Sequence, residues 1–272
     1  MVNYTEIKFE GIKPGEVDIL IAKLSDFGWI GMEEIDGGLI SYADATSINI
    51  GELNLLVEEL GLSFSQTNIE EKNWNALWES NFEPVIIPGK IHVRAHFHPP
   101  LENIEHEILI TPKMSFGTGH HATTRMMMKA MLAIDFKAKT TIDFGTGTGI
   151  LAILAEKLLS SQIEAIDNDS WSVTNVEENI AANNCTKITI QLGTNLDCFG
   201  EADVLLANIN KSVLLEHVLS IREHLKPNGS LLISGLLAGD YDDIIEKYAP
   251  IFGNKHEVFH DSGWIAILFT TN

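Results

Sequence analysis

Cysteine is scarce in this chain. Cys185 and Cys198 are the two among 272 residues, and they form neither a metal-ligand spacing nor a disulfide framework. A reduced, intracellular setting follows as the expectation. No run approaches the 18 apolar residues that would suggest a membrane span. The opening M-V-N-Y-T-E-I-K-F-E has no basic n-region and no apolar h-region. The expected location is therefore the cytoplasm, with no membrane contact. Positive charge is also in short supply: 18 Lys and Arg stand against 38 Asp and Glu, for a net charge of −20. The deficit is concentrated at the front, where residues 1–83 hold 16 acids and 4 lysines, a net −12. Direct nucleic-acid binding, which needs a basic stripe, is not expected. A basic protein partner fits this charge, and so does a solvated acidic surface with no partner.

What is present is a 45% apolar chain, long enough for a large domain and a small one. Residues 1–70 read as an α+β unit in the order β-α-β-β-α-β. Tyr4 to Phe9 alternates, Pro14-Gly15 opens a helix carrying Val17, Leu20, Ile21, Leu24 and Phe27, and Asp36-Gly37-Gly38 joins two short strands. A helix from Ile50 ends at Gly61, and a strand follows to Ile69. That order is the ferredoxin-like one. Residues 71–83 read as a linker helix with Trp74 and Trp78 on one face. From 84 to 272, strands are expected at Ile91–Phe97 and Glu107–Thr111, then strand and helix alternate. Single helices are expected at His120–Ile134 and Val213–His224, and a strand at Ser230–Gly235. Such alternation calls for an α/β fold, a parallel sheet covered by helices.

The chemistry gathers at residues 142–149, I-D-F-G-T-G-T-G, with Asp167 closing the next apolar run. Glycines between a strand and a helix, followed by an acid at the end of the next strand, mark a nucleotide-type cofactor site. A dinucleotide fingerprint needs its third glycine where Ile150 stands. Asp143 would repel a pyrophosphate, whereas it suits a cofactor with a cationic amino group. S-adenosylmethionine carries such a group and a sulfonium. Gly145 lets the backbone approach a ligand, and Asp167 can accept hydrogen bonds from both ribose hydroxyls. Two further segments belong to the same edge of the sheet. Residues 116–124 read F-G-T-G-H-H-A-T-T, where Thr123 and Thr124 can cap a helix or bind a ligand. Ala207-Asn208-Ile209 ends a strand, which puts the Asn208 amide opposite the glycine turn. Asp169-Ser170-Trp171 could line an adenine.

These segments together resemble the ribosomal protein L11 methyltransferases. The likeness rests on F-G-T-G-x-H-x-T-T at Phe116 to Thr124, D-F-G-x-G-x-G-I-L-A-I at Asp143 to Ile153, the acids and asparagines from Asp167 to Asn179, and A-N-I at Ala207 to Ile209. It covers residues 70–272 by motif, and the front region by element order. It implies a Rossmann-like class I methyltransferase domain that uses S-adenosylmethionine, with the small front domain holding the substrate. It also implies transfer of methyl groups to lysine and N-terminal amines of ribosomal protein L11. By position, Thr124, Gly145, Gly147, Asp167 and Asn208 would bind the cofactor, and Asn208 would also act at the reacting centre. A monomer is expected.

Rival readings make different demands. Methylation of planar nitrogens usually comes with N-P-P-Y at the Asn208 position, and N-I-N-K offers no aromatic to stack a planar group. A binding protein without activity would have been suggested by loss of Asp167 or the glycines, and neither is lost. No side chain stands out as a general base; His120 and His121 are candidates, with loop structure as the competing role. Six of ten histidines fall between 92 and 121. His96 and His98 would share a strand face, but no carboxylate or cysteine partner is suitably spaced, so no metal is expected.

Overall fold

The computed structural model describes residues 4–12, 17–26, 30–35, 38–44, 48–69, 82–113 and 117–271. The chain divides into two compact units, Met1–Phe82 and Glu83–Asn272. The first contains β1 (Tyr4–Glu10), α1 (Val17–Asp26), β2 (Ile30–Ile35), β3 (Gly38–Asp44), α2 (Ile50–Leu60) and β4 (Ser63–Ile69). Its strands form one antiparallel sheet in the order β2-β3-β1-β4. Alternation along β1 buries Ile7 and Phe9, which pack with Leu20 and Leu24 of α1 and Leu53, Leu56 and Val57 of α2. The Asn49 side chain accepts from the N–H groups of Gly51 and Glu52 to start α2, and Gly61, at φ 67°, stops it. Trp74 and Trp78 lie outside the described residues; Phe82 and Glu83, at the end of the expected linker, belong to no helix.

The second unit opens with β5 (Val85–Ile87), β6 (Ile91–Arg94) and β7 (His106–Leu109), a small sheet with β7 at its edge. Then come α3 (Ala122–Met131), β8 (Thr140–Phe144), α4 (Ile150–Lys157), β9 (Gln162–Asp167), α5 (Ser170–Ala182), β10 (Ile188–Leu192) and β11 (Ala202–Asn208). The chain finishes with α6 (Lys211–Glu216), α7 (Val218–Glu223), β12 (Leu225–Leu237), α8 (Tyr241–Phe252), β13 (His256–Asp261) and β14 (Trp264–Thr270). Seven strands make the large sheet, in the order β10-β9-β8-β11-β12-β14-β13. The first five run parallel, and β14 is inserted antiparallel between β12 and β13.

Both faces of this sheet are covered. On β11, Val204 and Leu206 enter one core with Met127 of α3 and Ile153 of α4. Leu205 and Ala207 enter the other, with Leu214, Ile221 and Tyr248. An unbroken apolar run is what a strand buried on both sides requires.

Several expected elements differ in extent. β6 stops at Arg94 rather than Phe97 because the chain turns: His98 Nδ1 accepts from the Ala95 N–H at 3.2 Å, and the Arg94 guanidinium donates to the carbonyl of His98 at 2.9 Å. His96 and His98 therefore do not share a strand face. The helix expected over 213–224 is two helices that meet at His217 (φ −94°, ψ 9°). The helix expected from His120 begins at Ala122, and its cap is the His121 imidazole, not Thr123 or Thr124.

Candidate active site

The sheet changes its winding direction at β8: the chain proceeds through β9 to β10 on one side and crosses to β11 on the other. Ligands of open α/β sheets sit beyond the carboxyl ends of the strands at such a point. A cavity of about 900 Å³ lies there, lined by Thr124, Gly145, Gly147, Asp167 and Asn208 together with residues from β12 and β14. All five residues singled out from the sequence thus face one space.

The glycine turn is fixed by backbone bonds. The N–H groups of Gly145 and Thr146 both donate to the carbonyl of Ile166, at 2.9 and 3.0 Å. Gly147 N–H donates to Asp167 Oδ2 at 2.8 Å, and Asp169 N–H donates to Asp167 Oδ1 at 3.0 Å. The Asp167 carboxylate is therefore held by one donor on each oxygen, with lone pairs left over for a ligand. Gly145 has φ 75°, and a Cβ there would collide with the Ile209 side chain. Gly235, in β12, has φ 87°, and a Cβ there would strike the Ile209 backbone.

The second wall is built from α3 and the end of β11. Thr124 is fully buried, and Asn208 Nδ2 reaches its Oγ1 at 3.4 Å. Asn208 Oδ1 is buried and has no hydrogen-bond partner. Such an acceptor is costly unless something fills it. The Thr148 hydroxyl donates to the Gly117 carbonyl at 2.6 Å, tying the 117–121 loop to the glycine turn. His121 lines the cavity, bonds Thr123 Oγ1 at 2.7 Å and meets Trp264 edge-on at 4.7 Å between ring centroids. His120 points elsewhere: Nε2 pairs with the Glu83 carbonyl at 2.8 Å and Nδ1 with Thr118 Oγ1 at 3.0 Å. Phe116 lies outside the described residues.

Beneath the turn, Asp143 is completely buried and accepts from Thr146 Oγ1 at 2.6 Å. Burial pushes its carboxyl up to about 7; the Asp167 charge adds to the rise, while Thr146 and the N–H of Ala152 oppose it.

Asp169 and Ser172 line the cavity, but Trp171 does not; it stands 78% exposed to solvent. It occupies the first turn of α5, where its position lies outside the helix face that packs on the sheet. Sequence reasoning also missed Gly193, Thr194 and Asn195, which line the cavity after β10, and Gly235. The rule that ligands bind at strand ends could have found the first three. No spacing signal marks Gly235. Among the described residues, no group of three or more His, Cys, Asp or Glu could hold a metal ion. No helix among them is long and apolar enough to cross a membrane.

A family model described as ribosomal protein L11 methyltransferase (PrmA) matches residues 38–272. The ribosomal protein L11 methyltransferase of Porphyromonas gingivalis is 37% identical, over 93% of this chain and 90% of its own. That of Phocaeicola vulgatus is 34% identical over 98% and 99%. Among solved structures, a ribosomal protein L11 methylase from Lactobacillus delbrueckii subsp. bulgaricus superimposes with a TM-score of 0.64 at 26% identity, over 70% of this chain and 100% of that one. A methyltransferase from Pyrococcus furiosus shares the fold, with a TM-score of 0.52 at 16% identity over 61% and 89%. The large α/β unit has the Rossmann-like fold of class I S-adenosylmethionine-dependent methyltransferases. The chain belongs to the ribosomal protein L11 methyltransferase family.

Proposed function

We propose that this chain transfers methyl groups from S-adenosylmethionine to lysine side chains and the N-terminal amine of ribosomal protein L11. The observation that carries the reading is Asn208 Oδ1, a buried acceptor without a partner at the wall of the cavity. The name shared by its relatives supplies the protein substrate. The residues fit the cofactor chemically. Asp167 has free lone pairs for ribose hydroxyls, the glycine turn leaves room for close approach, and Thr124 and Asn208 offer polar groups on the opposite wall. When bound, S-adenosylmethionine supplies a methyl carbon activated by its sulfonium.

The chain's own contribution is positioning. Asn208 Oδ1 can accept an N–H of the incoming amine and aim its lone pair. Orientation of this kind is worth on the order of 7–11 kcal/mol. The amine must be neutral to react, and partial desolvation beside a cationic cofactor lowers an ammonium pKa. His121 is engaged with Thr123, so proton removal falls to solvent before the amine is seated. Asn208 is followed by Ile209, Asn210 and Lys211, which give no aromatic platform for a planar acceptor. We assign residues 1–70, a ferredoxin-like module, to substrate recognition, 71–83 to the linker and 84–272 to catalysis. A basic protein acceptor, a monomeric enzyme, no direct nucleic-acid contact and a cytoplasmic location complete the proposal.

Labelled S-adenosylmethionine with purified L11 tests it. Label is expected on lysine and the N-terminal amine. Asn208→Ala is expected to lower turnover at saturating cofactor on the order of a hundredfold. Near-normal turnover in that variant, or label on no amine of L11, would refute the assignment.

A further inference from the structure

Asp143 and Thr146 form a pair that the reaction as described does not use. Asp143 has no exposed surface, and one carboxylate oxygen accepts from the Thr146 hydroxyl at 2.6 Å. The other oxygen, Oδ1, is buried and meets no donor in good hydrogen-bond geometry, although the N–H of Ala152 acts on the carboxyl from α4. Thr146 itself lines the cavity. The pair therefore links a buried acid to the cofactor site through one hydroxyl.

That hydroxyl has two possible orientations. With Asp143 ionised, Thr146 must donate to it, and the remaining lone pairs of Thr146 Oγ1 are available to the cavity. With Asp143 protonated, the acid can donate to Thr146 Oγ1, and the threonine proton is free to point into the cavity. The site thus presents an acceptor in one protonation state and a donor in the other. An ammonium group needs the acceptor.

We propose that the Asp143–Thr146 pair reads the amino group of the cofactor, so that cofactor binding expels one proton from Asp143 to solvent. This rests on the proposed function only for the identity of the cofactor. The balance is simple: the protonated acid and the cationic ligand become a carboxylate–ligand complex and one proton in bulk water. The surroundings allow it. The titratable group acting on Asp143 is Asp167, at the end of β9. Across the ladders Asp143 is paired with Ala165 of β9 and Leu206 of β11, which carry no charge, and α4 contributes only the N–H of Ala152. An acid shifted up to about 7 by burial is poised to lose its proton when a cation arrives.

Calorimetric titration of the full chain with S-adenosylmethionine, in buffers of different ionisation enthalpy, counts the protons. Close to one proton is expected to be released at about pH 6, and no net release at about pH 8, where the ligand's α-amine, with a pKa of about 7.7–8.0, takes up part of a proton to bind as the ammonium; Kd is expected to tighten by up to about tenfold per pH unit between about pH 5.5 and 6.5. S-adenosylhomocysteine keeps the ammonium and lacks the sulfonium charge, so it is expected to release the same proton. Asp143→Asn and Thr146→Val are expected to abolish both the release and the slope, and Thr146→Ser to retain them. Should Asp143→Asn not fold, the wild-type count and the near-isosteric Thr146→Val carry the test. Binding by wild type without proton release would overturn the coupling alone. Release that survives in both variants would also overturn it and place the proton elsewhere. No cofactor binding at any pH would overturn the coupling and the proposed function together.

Discussion

Ile209 is gripped between Gly145, in the turn after β8, and Gly235, in β12. Gly145 crowds its side chain and Gly235 crowds its backbone, both at positive φ. The two contacts fix the chain immediately after Asn208. They differ in how they can relax. An alanine at 145 meets the Cγ2 methyl of Ile209, which can yield only by a χ1 change, whereas an alanine at 235 meets a backbone carbonyl that cannot move aside. Gly235→Ala is therefore expected to be the worse change, costing about 1–3 kcal/mol from overpacking and lowering turnover through Asn208. Urea unfolding of both variants, with turnover beside it, checks the order. Gly145 was legible in the sequence because it sits in a glycine-rich strand-to-helix turn, a local signal that does not depend on the remote Ile209. Gly235 was not, because the residue that requires it is remote in sequence; its place read as the end of a strand that in fact continues, with a register shift, to Leu237. Asp143 is a second residue with a measurable signature. Its carboxyl sits at about 7 in the fold against about 3.9 in an unfolded chain. The folded state thus holds the proton more tightly. That contribution to stability is complete below about pH 4 and is lost as pH rises through about 7. Without cofactor, the Tm of Asp143→Asn relative to wild type is expected to rise between about pH 5 and about pH 8. A difference that stays flat across that range would contradict the burial argument.

Among the elements, α5 does more than cover the sheet. Asn175, Asn179 and Asn183 recur every four residues on one face. Their amides run along the free edge of the chain leaving β7. Thr111 N–H donates to Asn179 Oδ1 at 2.8 Å, Asn175 Nδ2 donates to the Thr111 carbonyl at 3.1 Å, and Asn183 exchanges both bonds with Leu109. Side chains here do what a neighbouring strand would do for an edge. Asn179 Nδ2 also donates to the Thr148 carbonyl at 2.8 Å, which carries the same brace to the glycine turn. Asn179→Ala strands the buried Thr148 carbonyl and the part-buried Thr111 N–H and is expected to cost about 2–4 kcal/mol. Asn183→Ala is expected to cost much less, because Asn183 is half-buried and water can replace its amide. Chemical denaturation of the two variants measures the contrast, and equal losses would refute the brace. Asn175 and Asn179, though not Asn183, fall within the stretch from Asp167 to Asn179 that marks the family resemblance, but their partners at Thr111 lie more than sixty residues earlier, and no local periodicity reveals them. The same limit hid the break at His217. Two short helices and one long one carry nearly the same apolar spacing, so periodicity does not mark the break.

At the scale of the molecule, two units with separate cores divide charge as well as structure. The alternation of strand and helix made the parallel sheet legible, and the ligand rule for such sheets placed Gly145, Asp167 and Asn208 at one edge. The insertion of β14 between β12 and β13 was not legible, since a terminal hairpin can add to a sheet in either order. Charge needs no fold to be read. Residues 1–83 hold −12 of the net −20, a field that would steer the proposed basic partner before any contact forms. Screening length falls from about 10 Å at 0.1 M salt to about 3 Å at 1 M, so steering by exposed carboxylates weakens as salt is added. The cofactor cavity depends instead on backbone donors and part-buried groups, which salt reaches poorly. Raising ionic strength from about 0.05 to about 0.5 M is expected to raise KM for L11 on the order of tenfold. Over the same range, kcat at saturating L11 and Kd for the cofactor are expected to change by less than about twofold. Steady-state kinetics and calorimetry on the intact chain separate these quantities. A KM for L11 indifferent to salt would mean that apolar complementarity, not the acidic front unit, selects the substrate.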